Sequence, residues 1–176
     1  QLVAKTMKEL TLPLAESQAR LYKDTLMQAK AEVAGNKKGL KGLNQKKLQN
    51  LFTQLRKIAL HPLLIRHVYD DDAVNTMAKI AHGQSYFGPD ASYERGREEL
   101  ASYSDHRLSA IWHDFGHSQG RKHGLSREHY MASGKFQALA KLLPELHARG
   151  SRPLIFSQWT STLDLLEWLL NDLKFE

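Results

Sequence analysis

The clearest hydrophobic period in the chain lies at residues 48–59. There Leu48, Leu51, Phe52, Leu55 and Ala59 recur three and four positions apart and predict an amphipathic helix. It should stop at His61, because a residue that precedes a proline is pushed out of the α region and Pro62 follows. An earlier helix is expected from about Glu16 to Val33, with Tyr22, Leu26, Ala29 and Val33 as its buried stripe. Ahead of it Leu10, Leu12 and Leu14 alternate, the mark of a short strand. Pro13 confines that strand to an edge or an end. Farther on, Ser104 can cap a helix whose stripe is Leu108, Ile111, Trp112 and Phe115, with Gly116 to end it. Ser133-Gly134-Lys135 opens another helix, with Phe136, Leu139, Leu143 and Leu146 on one side and Gly150 beyond its end. Pro144 lies inside it and predicts a kink or a restart. Leu154, Ile155 and Phe156 are apolar at consecutive positions, which predicts a strand covered on both faces. Ser161 and Asp164 have capping-box spacing and should start a last helix carrying Leu163, Leu166, Leu169 and Leu170.

The expectation is a mostly α chain with two separated strands, at 10–14 and 154–156. A strand buried on both faces needs neighbours, and parallel neighbours come in βαβ units. The rest of the sheet is therefore expected to lie outside these residues. Residues 70–130 differ from both flanks. They are polar, hold six of the nine histidines, include a loop-like stretch from Gly83 to Asp90, and read as a linker over 117–130.

Composition changes this picture in a few places. With 176 residues the chain can bury a real core, and it opens on Gln1, as a piece cut from a longer protein would. The net charge of +6 favours an anionic partner. The densest positive run is residues 35–47, where Lys37, Lys38, Lys41, Lys46 and Lys47 stand among three glycines with no acid. It reads as a basic loop entering a helix: a solvated loop, a DNA contact, or part of a nuclear localisation signal. Asp70, Asp71 and Asp72 read as a helix cap, or as a contact for a basic partner. The lack of cysteine removes disulfides, Cys-based zinc sites and thiol nucleophiles. No apolar run reaches the ~18 residues of a membrane span, so no membrane partner is expected.

Candidate chemistry is sparse. His113 and His117 are four apart, a spacing that puts two metal ligands on one helix face, and His123 and His129 follow. Gly116 should end the helix between the first two, and no glutamate completes an H-E-x-x-H pattern, so no metal site is expected. A metal-dependent hydrolase built on these histidines is the weakest reading. His61 reads as a helix-end residue satisfied by backbone rather than as a catalytic base. No G-x-x-x-x-G-K-[ST] loop is present: Gly35–Gly39 is too short, and Gly134-Lys135 is followed by Phe136 instead of a hydroxyl. No acidic pair follows an apolar strand. No catalytic residue is assigned, and no ATPase activity is expected of these residues alone.

Three blocks in order resemble a known family. Ser133-Gly-Lys-Phe136, Leu139-Ala-Lys-Leu-Leu143, Pro153-Leu-Ile-Phe-Ser-Gln158, Trp159-Thr160 and Leu163-Asp-Leu-Leu-Glu167 resemble the opening of the second RecA-like lobe of Swi/Snf-type chromatin-remodelling ATPases. Residues 156–160 are similar to that family's helicase motif IV. Gln54-Leu-Arg-Lys57, leading to His61-Pro-Leu-Leu64, resembles the end of the lobe-one extension. Lys8 to Tyr22, with Glu16 and Gln18, resembles the strand and helix that leave lobe one. Glu99 to Leu108 resembles a connector of the branch holding the SMARCAD-type and Fun-type remodellers. The chain departs from the family at Leu60, where asparagine is common, at Ala15, where Ser or Thr usually caps a helix, and at Pro144, which interrupts a normally continuous helix.

The resemblance implies parts of two RecA-like α/β lobes. Residues 1–69 would end lobe one with its helical extension, 70–130 would be a connector, and 131–176 would start lobe two. It implies a parent that uses ATP and magnesium, translocates on duplex DNA, acts on nucleosomes and their histones, and works in the nucleus. It places motif IV against the phosphate backbone, where Ser157, Gln158 and Thr160 can donate to phosphate oxygens without reading bases. Lys135, Lys46 and Lys47 would add charge, and the start of the following helix suits an anion. From the residues alone, ordinary strand-end and N-cap chemistry is the favoured explanation of Ser157 and Gln158. The alternative for the whole chain is a stand-alone basic helical module that binds nucleic acid or a protein partner.

Overall fold

The structure is a computed structural model that describes residues 6–35 and 45–175. The lysine run at 37, 38 and 41 lies outside the described residues. Two long helices come first: α1 (Glu16–Gly35) and α2 (Gln45–Leu60), which pack on each other. The expected α1 stripe of Tyr22, Leu26, Ala29 and Val33 is half-buried. On α2 the seam runs through Leu55 and Ile58 toward the C-terminal end, while Phe52, expected in the stripe, is exposed. As predicted, α2 ends before Pro62, which opens a short 3-10 turn (Pro62–Leu64).

The linker expected over 117–130 is largely helical, and residues 70–130 as a whole are mostly helix. They hold α3 (Asp71–Gly83), α4 (Tyr93–Ser102), α5 (Asp105–Asp114), α6 (His117–His123) and α7 (Arg127–Tyr130). Asp70 caps α3 by accepting from the Ala73 N–H at 2.8 Å, so the acidic run acts as a cap at this end. Val74, Met77, Ala78 and Ala81 then fall on one buried face. Helix α4 buries only Gly96 and Leu100. Gly96 is small because Phe87 lies against it: a Cβ there would stand 3.2 Å from that ring. Helix α5 forms as the sequence predicts, with Ser104 as N-cap and a left-handed Gly116 (φ 116°) after its end. Together α3, α4 and α5 enclose a core of Met77, Leu100, Leu108, Ile111 and Trp112.

The last part contains α8 (Gly134–Ala148) and α9 (Thr160–Asp172). Helix α8 runs through Pro144 without the expected restart. Helix α9 has Trp159 at its N-cap with no side-chain cap bond, so the Ser161–Asp164 capping box does not form. Leu165 takes the buried place expected of Leu163, which is exposed. A second core joins Leu63 and Leu64 of the 3-10 turn to Phe136 and Leu143 of α8 and to Leu165, Leu166 and Leu169 of α9. Leu125 packs against both cores.

Neither expected strand forms, and the described residues contain no β-structure. A strand is stabilised by its ladder, and these segments have no neighbour to pair with. Leu154 and Phe156, expected to be covered on both faces, are 83% and 88% exposed. Leu10 is 68% exposed.

Polar contacts fix the ends of the chain against each other. The buried Gln18 side chain accepts from the Ala15 and Gly134 N–H groups, at 3.1 and 3.2 Å, and donates to the Ile58 carbonyl at 2.6 Å. One side chain thereby ties the start of α1, the end of α2 and the start of α8. Ser133 donates to the Leu60 carbonyl at 2.9 Å. His61, fully buried, accepts at Nδ1 from the Leu63 N–H at 3.1 Å and sits with Nε2 2.9 Å from the Tyr130 carbonyl. Its ring meets Phe136 edge-on at 4.5 Å. A second anchor is the buried Asp105 carboxylate, which accepts from the N–H groups of His67, Val68 and Tyr69 at 2.9 to 3.1 Å. It holds the segment after the 3-10 turn against α5.

Candidate nucleic-acid interface

These anchors set the α8–α9 connection against the end of α2. Arg56 donates to the Gln158 side-chain oxygen at 3.0 Å, across 102 residues of sequence. One position on, the Lys57 ammonium lies 5.2 Å from the centre of the Trp159 ring. Arg and Lys in the last turns of α2 face the negative end of its dipole, a favourable place for cations. Ser157 accepts from the Trp159 N–H at 3.2 Å, which leaves its own O–H free to donate outward. With its oxygen engaged by Arg56, Gln158 keeps its NH₂ donors. Thr160 is exposed as the first residue of α9, whose N-terminal N–H groups have no side-chain cap.

Lys57, together with Ser161 next along the chain from Thr160, lines a cleft of about 790 Å³. Its walls come from α1 and α2, from Arg66, from the α4–α5 corner and from Ser161 at the start of α9. Lys57 and Arg107 reach it without an acidic partner among the described residues, whereas Arg66 is paired with Asp71 at 2.9 Å. Asp24 is the acid in the lining. The rest is mainly hydroxyl and amide side chains such as Thr25, Gln28, Asn50 and Gln54. Leu21, Leu64, Ile65 and Ala101 complete the lining, and the polar majority of the mixture can bind a backbone of singly charged phosphates.

The candidate residues do not all converge. Ser157, Gln158 and Thr160 lie together just ahead of Ser161, which lines the cleft, but are not themselves among its lining residues. Lys46 and Lys47 stand at the other end of α2, about 15 Å along the helix from Lys57. Lys47 lines an adjoining space of about 270 Å³ between α1 and α2, which shares Thr25, Gln28, Asn50 and Gln54 with the cleft. Lys135 is exposed on the first turn of α8 and makes no ion pair among the described residues. Sequence reasoning missed Arg56, Lys57 and Arg107 as site residues. The first two fall inside a block already singled out by resemblance, and their adjacency was the available signal.

Other candidate chemistry is taken up by packing. His123 stacks on Trp112 with centroids 4.2 Å apart, and the His113 ring lies against Gly120 and Gly124. Among the described residues no group of three or more His, Cys, Asp or Glu converges. Gly134 cannot serve as a phosphate cradle: its N–H is held by Gln18, and a Cβ there would lie 2.1 Å from the Pro13 carbonyl oxygen.

No family model matches the chain. Among characterised proteins it is 38% identical over 180 residues to Protein CHROMATIN REMODELING 19 of Arabidopsis thaliana, covering 97% of this chain and 24% of that protein. It is 38% identical over 126 residues to ATP-dependent helicase fft2 of Schizosaccharomyces pombe, and 32% identical over 129 residues to ATP-dependent helicase FUN30 of Saccharomyces cerevisiae. These matches cover 71% and 73% of this chain and only 10% and 11% of those helicases. The chain therefore spans a quarter or less of each of these relatives. Its fold matches the crystal structure of the C-terminal part of a Fun30 ATPase domain, with a TM-score of 0.78, 27% identity, and coverage of 95% of this chain and 56% of that one. Similar in sequence along nearly its whole length to one such remodeller, and similar in fold to another, the chain belongs to the Swi/Snf-type helicase-like family, on the branch that holds Fun30 and its relatives.

Proposed function

We propose that this chain is the inter-lobe segment of an ATP-dependent duplex-DNA translocase that remodels nucleosomes in the nucleus. Residues 1–69 end the first motor lobe, 70–130 connect, and 131–176 begin the second with motif IV. The observation that carries this reading is the contact of the 157–160 segment with α2, through Arg56–Gln158 and Lys57–Trp159, next to Lys57 and Ser161 in the lining of a mainly polar cleft. Ser157, Gln158, Thr160 and Lys57 then hold phosphates of the DNA backbone, and Arg56 positions Gln158. Lys46, Lys47 and Lys135 extend the positive surface. The exposed Leu154 and Phe156 suit a strand that receives its neighbours from the remainder of the second lobe. A stand-alone basic module would have covered them. ATP and magnesium are held by other parts of the whole protein, since Gly134-Lys135 has neither the space nor the hydroxyl for them.

The test is duplex-DNA binding by the chain as a function of salt. Affinity should fall steeply between about 50 and about 200 mM salt, with little sequence preference. Lys57→Gln should lower the slope of log affinity against log salt by about one. An unchanged slope in that variant, or no binding by the parent chain, refutes the reading.

A further inference from the structure

The connector residues 70–130 do more than join two ends: they form a wall of the cleft. The corner between α4 and α5 brings Tyr103, Ser104 and Arg107 into the same lining as Lys57 of α2 and Ser161 of α9. Arg107 is the residue of interest. It sits in the first turn of α5, two residues after Asp105. A cation there faces the positive end of the helix dipole, so the helix gains nothing from its charge. It has no acidic partner among the described residues. Its guanidinium instead lies 5.9 Å from the Tyr103 ring centre. Tyr103 is itself held by donating to Glu99 at 2.5 Å, and burial together with that carboxylate pushes its hydroxyl up to about 12, so the ring stays neutral. A fixed neutral ring thus supports an exposed arginine that serves no packing purpose.

We infer that Arg107, aimed by Tyr103 across the cleft from Lys57, is a second phosphate-binding residue, so that the connector clamps a nucleic-acid backbone from the side opposite α2. This rests on the reading of the cleft as a DNA site. The lining fixes the class of ligand. A compact polyphosphate calls for clustered cations, whereas here two cations without acidic partners among the described residues stand on different walls. Arg66 is paired with Asp71, Asp24 is an acid in the same lining, and most of the rest are hydroxyls and amides beside a few apolar side chains. That spacing suits successive phosphodiesters of one negative charge each, and none of these groups is placed to specify a base. Arg is also the side chain whose planar fork bonds two phosphate oxygens at once.

The experiment compares the salt dependence of duplex-DNA binding for the parent chain and for three variants: Lys57→Gln, Arg107→Gln and Arg95→Gln. Arg95 is exposed on α4 beside a different pocket and controls for net charge. The expected result is a slope lowered by about one in Lys57→Gln and again in Arg107→Gln, with Arg95→Gln close to the parent. A parent and Lys57→Gln that behave as expected, with Arg107→Gln unchanged, would overturn the connector's role and leave the cleft reading standing. An equal drop in Arg95→Gln would reduce the effect to overall charge and overturn it too. No binding by the parent removes the cleft reading and this inference with it. Both arginines are exposed, so circular dichroism should show all three variants folded.

Discussion

Acidification should act first on His61. The ring is fully buried, and both nitrogens are committed: Nδ1 takes the Leu63 N–H and Nε2 faces the Tyr130 carbonyl. Only the neutral tautomer with its proton on Nε2 satisfies both contacts, because a proton on Nδ1 would confront the Leu63 N–H. Burial lowers the pKa from 6.5 to about 4, against a smaller opposing pull from the Tyr130 carbonyl. In the unfolded chain the ring titrates near 6.5, so between pH 6.5 and about pH 4 the unfolded state binds more protons. Stability is then complete above pH 6.5 and is lost as the pH falls toward 4. The gap corresponds to about 3 kcal/mol in all, and to a local slope of roughly 1.2 kcal/mol per pH unit near about pH 5.5. The assay is urea unfolding followed by tryptophan fluorescence, in steps from about pH 7.5 to about pH 5. It is run on the parent chain and on His61→Gln. The variant should be less stable at neutral pH, yet its stability should fall less steeply with acid. Burial also lowers the pKa of His106, which contributes in the same direction to both proteins and cancels in the comparison. Equal slopes in the two proteins would sink the argument.

Two further outcomes follow from the anchors. Gly134→Ala should cost roughly 1–3 kcal/mol, since the new Cβ would meet the Pro13 carbonyl oxygen at 2.1 Å and backbone would have to move. Gly83→Ala, with nothing within 4 Å, should be neutral or stabilising by up to about 1 kcal/mol; a matching loss of Tm in both would dismiss the clash. Asp105→Ala strips the acceptor from three backbone N–H groups and should cost about 3–5 kcal/mol, with faster hydrogen exchange at His67, Val68 and Tyr69. Unchanged exchange at those amides would mean that the carboxylate does not hold the segment.

Where an element is specified locally, its sequence announces it. Helix α5 has its cap, its stripe and its terminating glycine within thirteen residues, Ser104 to Gly116, and forms as read. Helix α3 has an equally good face, but alanines supply half of it, so its apolar signal is diluted. Helix α4 buries a glycine and one leucine, and no periodicity test finds a stripe made of Gly96 and Leu100. The two expected strands failed for the opposite reason. Leu154 and Phe156 do have strand character, but a strand is a property of its neighbours, and the described residues provide none.

The site was legible only in part, because what assembles it is polar and distant in sequence. Arg56–Gln158 spans 102 residues and Gln18–Gly134 spans 116. Periodicity assigns Gln18 and Arg56 to the solvent face, since an amide or a guanidinium on a helix is ordinarily a surface group, and it says nothing of Gln158, which lies outside any helix. Gln18 is instead among the most buried side chains in the molecule. Resemblance to a family had singled out Gln18, the Gln54–Lys57 block and Gln158, because it preserves residue identity irrespective of hydrophobicity. It did not single out Arg107 as a contact, although the connector that carries it was noticed. That residue acquires its place only when 70–130 folds into a cored helical unit and turns the α4–α5 corner toward α2. Local caps and apolar stripes explain helices such as α5, buried polar groups such as Gln18 explain how helices are joined, and the cleft depends on the joining.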